Sequence, residues 1–463
     1  MNLQNRILYQ STNQKLTEVE HLDPVTFREA LFNGISPDGG LYMPTFVPQM
    51  SKGFLEQNAK CKMQNAKNYS EVALEILSLF LESEIEEPIL EQIVKDAYNF
   101  PVPLEQLDDS TFILRLDQGP TASFKDFAAR FMAKAMNHLK PAGKEITILV
   151  ATSGDTGSAV GEAFRGLDGF RVFIIYPENE VSPTQKHQLD SIGENVQAVA
   201  IDCKFDDCQN LVKLAFEDDD IRHLNLTSAN SINIGRLLPQ IAYYFYAWSK
   251  LETDSDSLIF SVPSGNFGNS LGGELAKRMG LPIKKLIIAV NENDEFPHFL
   301  TSGEYKKVAP SRNCLSNAMN VGNPSNLARY FDLYGGTITR DGPIHRQPNL
   351  DEMKSFLNSY SISDVDTVST IKSIFDKYNV VVEPHGAVGL AALEKYRNDT
   401  NDHSIAICLE TAHPAKFPET VEEVLQIKID PHKSLASIAY RAGHYHKIDN
   451  NYESFKTYLL EKS

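Results

Sequence analysis

Lys125 stands in the run Gly119-Pro120-Thr121-Ala122-Ser123-Phe124-Lys125-Asp126-Phe127-Ala128-Ala129, where a turn of small residues delivers an amine to the start of a helix. Residues 127–136 are rich in Ala and Met with Phe at helical spacing, which predicts a buried helix with Lys125 in its first turn. There the positive end of the helix dipole opposes another cation, and burial among Phe124, Phe127 and Phe131 would disfavour the ammonium further. An amine deprotonated in this way is a nucleophile suited to forming a Schiff base with a carbonyl cofactor. Taken alone, the window also fits a Ser-x-x-Asp helix start, Ser123 to Asp126, whose lysine points into water.

Two further motifs bear on that choice. A β-branched apolar run at 146–150 leads into Ala151-Thr152-Ser153-Gly154-Asp155-Thr156-Gly157-Ser158, and a helix is expected from Ala159. Strand, Gly/Ser/Thr loop and helix together make an oxyanion cradle, because exposed N–H groups converge where the helix dipole is positive. The loop has neither the Gly-Lys-Ser/Thr of a Walker A motif nor dinucleotide-type glycine spacing. The unit recurs where a strand at 258–262 empties into Pro263-Ser264-Gly265-Asn266-Phe267-Gly268-Asn269, with a helix over 270–279. A glycine turn after one strand has a purely steric explanation in many α/β proteins. Two such turns downstream of a helix-start lysine point to two anionic groups.

These motifs need a scaffold, and 463 residues are enough for two or three domains. The formal charge of −17 and the absence of a Lys/Arg block argue against nucleic acid or an anionic membrane as partner. No apolar run approaches a membrane span and Met1 to Arg6 lacks a signal-peptide core, so a cytoplasmic protein is expected. Cys61, Cys203, Cys208, Cys314 and Cys408 are odd in number and lack a C-x-x-C pair, which fits reduced thiols. His444 and His446 read as solvated residues of a polar tail, and no metal is expected.

Residues 1–100 read as a separate module. It has a helix over 26–33 stopped at Gly34, a turn at Pro37-Asp38-Gly39-Gly40, and acidic amphipathic helices over 69–81 and 88–98. Past Pro101 and Pro103, apolar strands at 112–116, 146–150, 172–176, 196–201, 258–262, 286–290 and 405–409 alternate with helices. That alternation predicts an α/β region over 101–463 with parallel sheet covered on both faces. Ligands in such sheets sit beyond the carboxyl ends of the strands, where both glycine loops fall. The Pro-, Asn- and Ser-rich stretch 302–326 predicts loops near a cleft.

Four motifs in order carry a family resemblance: Gly39-Gly40-Leu41-Tyr42-Met43-Pro44, Ser-Phe-Lys-Asp-Phe around Lys125, residues 265–269, and Glu410-Thr411-Ala412-His413-Pro414-Ala415-Lys416-Phe417. From residue 34 to about 417 the chain resembles the longer threonine synthases, pyridoxal-phosphate enzymes of the tryptophan synthase β fold, or fold type II. The resemblance implies two parallel-sheet, three-layer α/β domains over 101–463, the smaller nested at roughly 125–245. It implies that Lys125 carries the cofactor and that Gly265, Asn266, Phe267, Gly268 and Asn269 bind its phosphate. It also implies that Thr411 bonds the pyridine nitrogen; a hydroxyl there leaves that nitrogen neutral, which favours elimination and replacement over transamination.

The substrate phosphate would be held by Ser153 and Thr156 together with Asn230, Ser231 and Arg236 of Ala229-Asn230-Ser231-Ile232-Asn233-Ile234-Gly235-Arg236. Arg236 alone also fits a helix-start arginine paired to a surface carboxylate. Asp155 falls close to the cofactor's phenolic oxygen, where many fold type II enzymes have Asn, so its contact is left open. The implied reaction is γ-elimination of phosphate from O-phosphohomoserine followed by β-hydration to threonine, with Lys125 as base, in a monomer or homodimer. A phospho-lyase giving 2-ketobutyrate from the same substrate is the nearest alternative. A serine/threonine dehydratase fits less well because its cofactor loop is generally a run of glycines, and a non-catalytic carrier of the cofactor is the remaining reading.

Overall fold

Every residue of the strand Ile146–Ala151 is buried, because the sheet around it is covered on both faces. The computed structural model describes residues 6–16, 22–51, 53, 67–251, 257–339 and 342–462. Cys61 lies outside them. Alternate residues of the central strands feed different cores: Ile148, Val150, Val172 and Ile174 face the main core, and Leu149, Ala151, Phe173 and Ile175 face a second one. This is the period-two alternation of a strand sandwiched between helical layers.

The smaller sheet has five parallel strands in the order His446–Ile448, Val196–Ile201, Phe170–Pro177, Ile146–Ala151, Leu226–Ser228. The helices Lys125–Leu139 and Asp155–Phe164 pack together on one side. Helices Phe205–Glu217 and Tyr452–Lys462 contribute to the second core on the other. The larger sheet runs Leu357–Ser361, Ile283–Val290, Leu258–Pro263, Ala406–Glu410, Thr111–Arg115, Leu104–Asp108, and only the last strand is antiparallel.

The C-terminal segment corrects one expectation. His446 does not belong to a solvated tail, since its backbone pairs with Val199 at the edge of the smaller sheet. Its side chain remains exposed, and an edge strand with two exposed residues out of three carries no apolar signal.

The N-terminal module joins a short antiparallel pair, Tyr9–Ser11 with Tyr42–Pro44, to the helices Phe27–Asn33, Tyr69–Leu81 and Glu87–Ala97. Thr26 and Asn68 each close a capping box, with Glu29 and Glu71 reaching back to the cap N–H, which explains where the first two helices start. The helix Tyr69–Leu81 then packs against the helix Ala242–Ser249. No helix among the described residues is long and apolar enough to cross a membrane.

Three strands deliver the motifs to one place. Ile146–Ala151 opens into the helix Asp155–Phe164, Leu258–Pro263 into Gly268–Arg278, and Ala406–Glu410 into the turn 411–417. All three exits line one cleft between the two sheets.

Candidate active site

The turn before Lys125 is held from inside. The Asp126 carboxylate accepts hydrogen bonds from the Thr121 N–H and hydroxyl, both at 2.8 Å. A Cβ on Gly119 would lie 2.4 Å from the same carboxylate, so only glycine lets the turn close. The Phe124 N–H donates to the Thr411 carbonyl at 2.8 Å and the His413 N–H donates to the Ala122 carbonyl at 3.0 Å, which ties the late motif to the lysine turn. Lys125 and Thr411 are thereby brought to the same cleft.

The helix begins at Lys125 itself. Its side chain is 13 % exposed, and Nζ sits 4.6 Å from the Phe124 ring centroid and 3.6 Å from Asp155 Oδ2. Burial lowers its pKa from the ordinary lysine value; Asp155 opposes the shift, while Lys416 and Arg236 reinforce it. Two of the three expected phenylalanines have no part in this. Phe127 turns into an aromatic cluster with Tyr69, Tyr98, Phe100 and Tyr243, and Phe131 joins the main core, because a helix points neighbouring side chains to different faces.

The loop after Ile146–Ala151 is organised by Thr152, whose hydroxyl oxygen accepts the N–H groups of Gly154 at 3.0 Å and Gly157 at 2.9 Å. Gly154 has φ 128°, a conformation that strains any residue with a side chain. Asp155 then meets three donors: Lys416 Nζ at 2.7 Å, Gln185 Nε2 at 2.9 Å and Lys125 Nζ at 3.6 Å. Burial would raise this carboxyl, but Lys416 and then Lys125 override it and hold Asp155 well below the usual carboxylate range. The contact left open by the sequence is therefore an ion pair with two lysines. Lys416 had no expected role; it is fully buried and also donates to the Thr121 carbonyl at 3.1 Å.

The second loop reaches its helix through Phe267, at φ 61°, whose ring is buried against Phe296 and Tyr330. Gly265 passes so close to the neighbouring segment that a Cβ would lie 2.9 Å from the Ala318 carbonyl oxygen. Asn326 Nδ2 donates to the Asn266 carbonyl at 2.9 Å. The hydroxyls of Tyr243 and Tyr244 both donate to Asn269 Oδ1, at 2.5 and 3.0 Å, which fixes the amide's orientation. Its Nδ2 is buried without a protein partner.

Arg236, on the short helix Ile234–Leu237, is likewise buried. One guanidinium nitrogen donates to the Ala229 carbonyl at 2.6 Å, and Nε has no protein partner. Burial, opposed by Asp126, lowers its pKa to about 10, so the group is a cation at neutral pH. The surface-carboxylate reading of Arg236 fails on this burial. Asn230 Nδ2 donates to the Ala151 carbonyl at 2.6 Å and moors residues 229–232 to the end of the central strand. Arg329, fully buried, donates to the carbonyls of Ser231 at 3.1 Å, Ile232 at 2.7 Å and Tyr42 at 3.1 Å, so the N-terminal module helps to hold the same segment.

Lys125, Ser153, Asp155, Thr156, Asn230, Ser231, Arg236, residues 265–269 and Thr411 all line this cleft. His385 lines it too, and no sequence motif marked it. Its Nδ1 lies 2.5 Å from Glu383 Oε2, while its Nε2 accepts the Ala318 N–H at 3.1 Å. That pairing describes a neutral Nδ1–H imidazole. It latches Ala318 and Met319, which also line the cleft and come from the loop-rich stretch expected there.

The cleft thus offers one buried amine biased toward its neutral form and two sets of donors lacking acceptors, Asn269 Nδ2 and Arg236 Nε among them. Unpaired buried donors are costly, so the donor chemistry fits an aldehyde that carries a phosphate beside a second phosphorylated molecule.

Comparison with known proteins agrees along the whole chain. The family model for "Pyridoxal-phosphate dependent enzyme" matches residues 98–410, "Threonine synthase N terminus" matches 8–98, and "Threonine synthase, C-terminal" matches 386–459. The chain is 40 % identical over 422 residues to threonine synthase of Escherichia coli strain K12, covering 91 % of this chain and 93 % of that one. It is 38 % identical over 455 residues to threonine synthase of Haemophilus influenzae, covering 95 % and 97 %. The structure of threonine synthase from Brucella melitensis with bound pyridoxal phosphate superposes with a TM-score of 0.87 at 35 % identity, over 99 % of each chain.

Proposed function

Since this chain belongs to the threonine synthase family of pyridoxal-phosphate-dependent enzymes, we propose that its cleft converts O-phospho-L-homoserine and water to L-threonine and phosphate. The observation that carries this reading is the convergence of the Lys125 amine with two separate sets of buried donors in one cleft. One phosphate belongs to the cofactor and the other to the substrate, so two cradles are needed.

Residues 265–269 hold the cofactor phosphate, with backbone N–H groups at the start of the helix Gly268–Arg278 and the Asn269 amide as donors. Lys125 would be the attachment point and Thr411 would hold the ring nitrogen; both line the cleft. Bound pyridoxal phosphate supplies an electron sink for negative charge developing on the substrate carbons. With the cofactor bound, the Lys125 Nζ would be the base that moves protons at substrate Cα and then Cβ. Burial favours the neutral amine this requires, and Asp155 at 3.6 Å steadies the ammonium formed when it takes a proton.

Ser153, Thr156, Asn230, Ser231 and Arg236 grip the substrate phosphate and stabilise its charge as the Cγ–O bond breaks. Lys416 keeps Asp155 ionised without itself lining the cleft. His385 keeps Ala318 and Met319 against the loop at Gly265.

In this reading residues 1–100 form the family's N-terminal module and 101–463 the catalytic region, with the smaller α/β subdomain at roughly 125–245. The enzyme acts in the cytoplasm as a monomer or homodimer. Incubation of cofactor-loaded protein with O-phosphohomoserine tests the chemistry: threonine and phosphate are expected. Phosphate with 2-ketobutyrate and no threonine would make it a phospho-lyase; turnover of serine or threonine alone would make it a dehydratase; no release of phosphate would leave a carrier.

A further inference from the structure

Cys203 and Cys208 bracket a corner of the cleft. Their sulfurs are 3.4 Å apart, with Cys203 half-buried just past the strand Val196–Ile201 and Cys208 buried in the first turn of the helix Phe205–Glu217. Between them Phe205 lines the cleft alongside Lys125 and Asn230. We propose that the two thiols form a dithiol–disulfide site that responds to hydroperoxides and alters the cleft through Phe205.

The geometry sets which sulfur reacts first. Cys208 is packed among Leu149, Phe173 and Val199, and its thiol is held protonated, first by the hydrogen bond with Cys203 and then by burial. Cys203 is the sulfur that an oxidant in solvent meets. Its thiolate attacks one peroxide oxygen: an S–O bond forms, the O–O bond breaks, and water or an alcohol leaves with a proton. The Cys208 sulfur then attacks the oxidised Cys203: the S–S bond forms, the S–O bond breaks, and water leaves. Two thiols lose two electrons and the peroxide gains them. The acidic neighbours Asp207 and Glu180 add to the bias against a Cys208 thiolate, so the second step is slower than the first.

Closure must shorten 3.4 Å to an S–S bond of about 2.05 Å. The linker between the sulfurs is tightly held. The Lys204 N–H donates to Asp207 Oδ2 at 3.0 Å, Lys204 Nζ lies 2.6 Å from Glu180, and the Phe205 N–H donates to Glu180 Oε2 at 3.0 Å. Drawing Cys203 toward the helix therefore strains these bonds and displaces the backbone beside Phe205.

The test exposes full-length, cofactor-loaded enzyme to hydrogen peroxide, blocks remaining thiols with N-ethylmaleimide and digests with trypsin, which cuts between Lys204 and Phe205. The expected result is a Cys203 peptide and a Cys208 peptide joined until dithiothreitol is added, with a loss of turnover that dithiothreitol restores. The double variant Cys203→Ser, Cys208→Ser should keep the untreated activity and resist this loss. Maleimide on both cysteines after peroxide treatment would overturn the proposal, as would a joined pair of peptides in enzyme whose turnover is unchanged.

Discussion

Lys416→Met removes a cation that touches no substrate in this account, yet it should weaken the fold at its active centre. The Lys416–Asp155 pair is 2.7 Å apart and both side chains are buried. At an effective dielectric of about 20, that separation corresponds to a gross attraction of roughly 6 kcal/mol. Removing one member of a buried pair strands the other charge and costs about 3–5 kcal/mol. Asp155 keeps Lys125 at 3.6 Å and Gln185 at 2.9 Å, so a loss near about 3 kcal/mol is expected, at the lower end of that range.

Urea unfolding of cofactor-free protein reads this loss, and a double-mutant cycle with Asp155→Asn isolates the pair. Asp155→Asn in the Lys416→Met background should cost much less than in the parent, because the carboxylate it removes is already stranded. The pH dependence has a definite sign. Asp155 has a depressed folded pKa, so the pair's contribution is complete above the ordinary carboxyl value of about 4 and drains away as pH falls through the folded value. The gap between parent and Lys416→Met should therefore persist at neutral pH and narrow only in acid. Two single effects that simply add, with Lys416→Met changing stability by less than about 0.5 kcal/mol, would refute the buried-pair reasoning.

Other perturbations probe the cradles separately. Arg236→Ala removes a buried guanidinium worth about 1.5–3 kcal/mol per charge-assisted bond, so kcat/KM for the phosphorylated substrate should fall roughly 10- to 100-fold, chiefly through KM. Steady-state kinetics with an unchanged KM would put the substrate phosphate elsewhere. Gly265→Ala forces a Cβ to 2.9 Å from the Ala318 carbonyl oxygen and should weaken cofactor binding about tenfold or more, read by equilibrium dialysis; undiminished affinity would mean this loop does not contact the cofactor. Gly157→Ala puts a Cβ 2.6 Å from methyl groups of Ile174 and Thr152, and overpacking of that kind should cost about 1–3 kcal/mol in urea unfolding. A neutral result there would mean that the helix Asp155–Phe164 shifts freely, contrary to its packing.

Much of this was legible in the sequence because it is local. The strands 146–151 and 258–263 are buried on both faces and read as continuous apolar runs, and the glycine loops follow directly in the chain. Lys125 could be placed in a first turn because a 15-residue amphipathic helix starts there. The hidden parts are those settled by tertiary contact. Lys416 and Asp155 are remote in sequence, and nothing near either announces a partner. Leu357–Ser361 and His446–Ile448 are edge strands whose polar residues mask the β pattern. His385 opens a helix within an otherwise ordinary Pro-His-Gly-Ala sequence, and only the fold brings Ala318 to its Nε2. Phe127 lies two residues from Lys125 in the chain, but the helix turns its ring to the aromatic cluster on another face.

Two buried amines flank Asp155, and the account depends on the cofactor choosing between them. Lys125 lines the cleft, whereas Lys416 is sealed beneath it in its ion pair. Borohydride reduction of the cofactor-loaded enzyme, followed by peptide mapping, reads the choice directly. The account predicts the pyridoxyl group on Lys125 alone; the group on Lys416, or on any other residue, would contradict it.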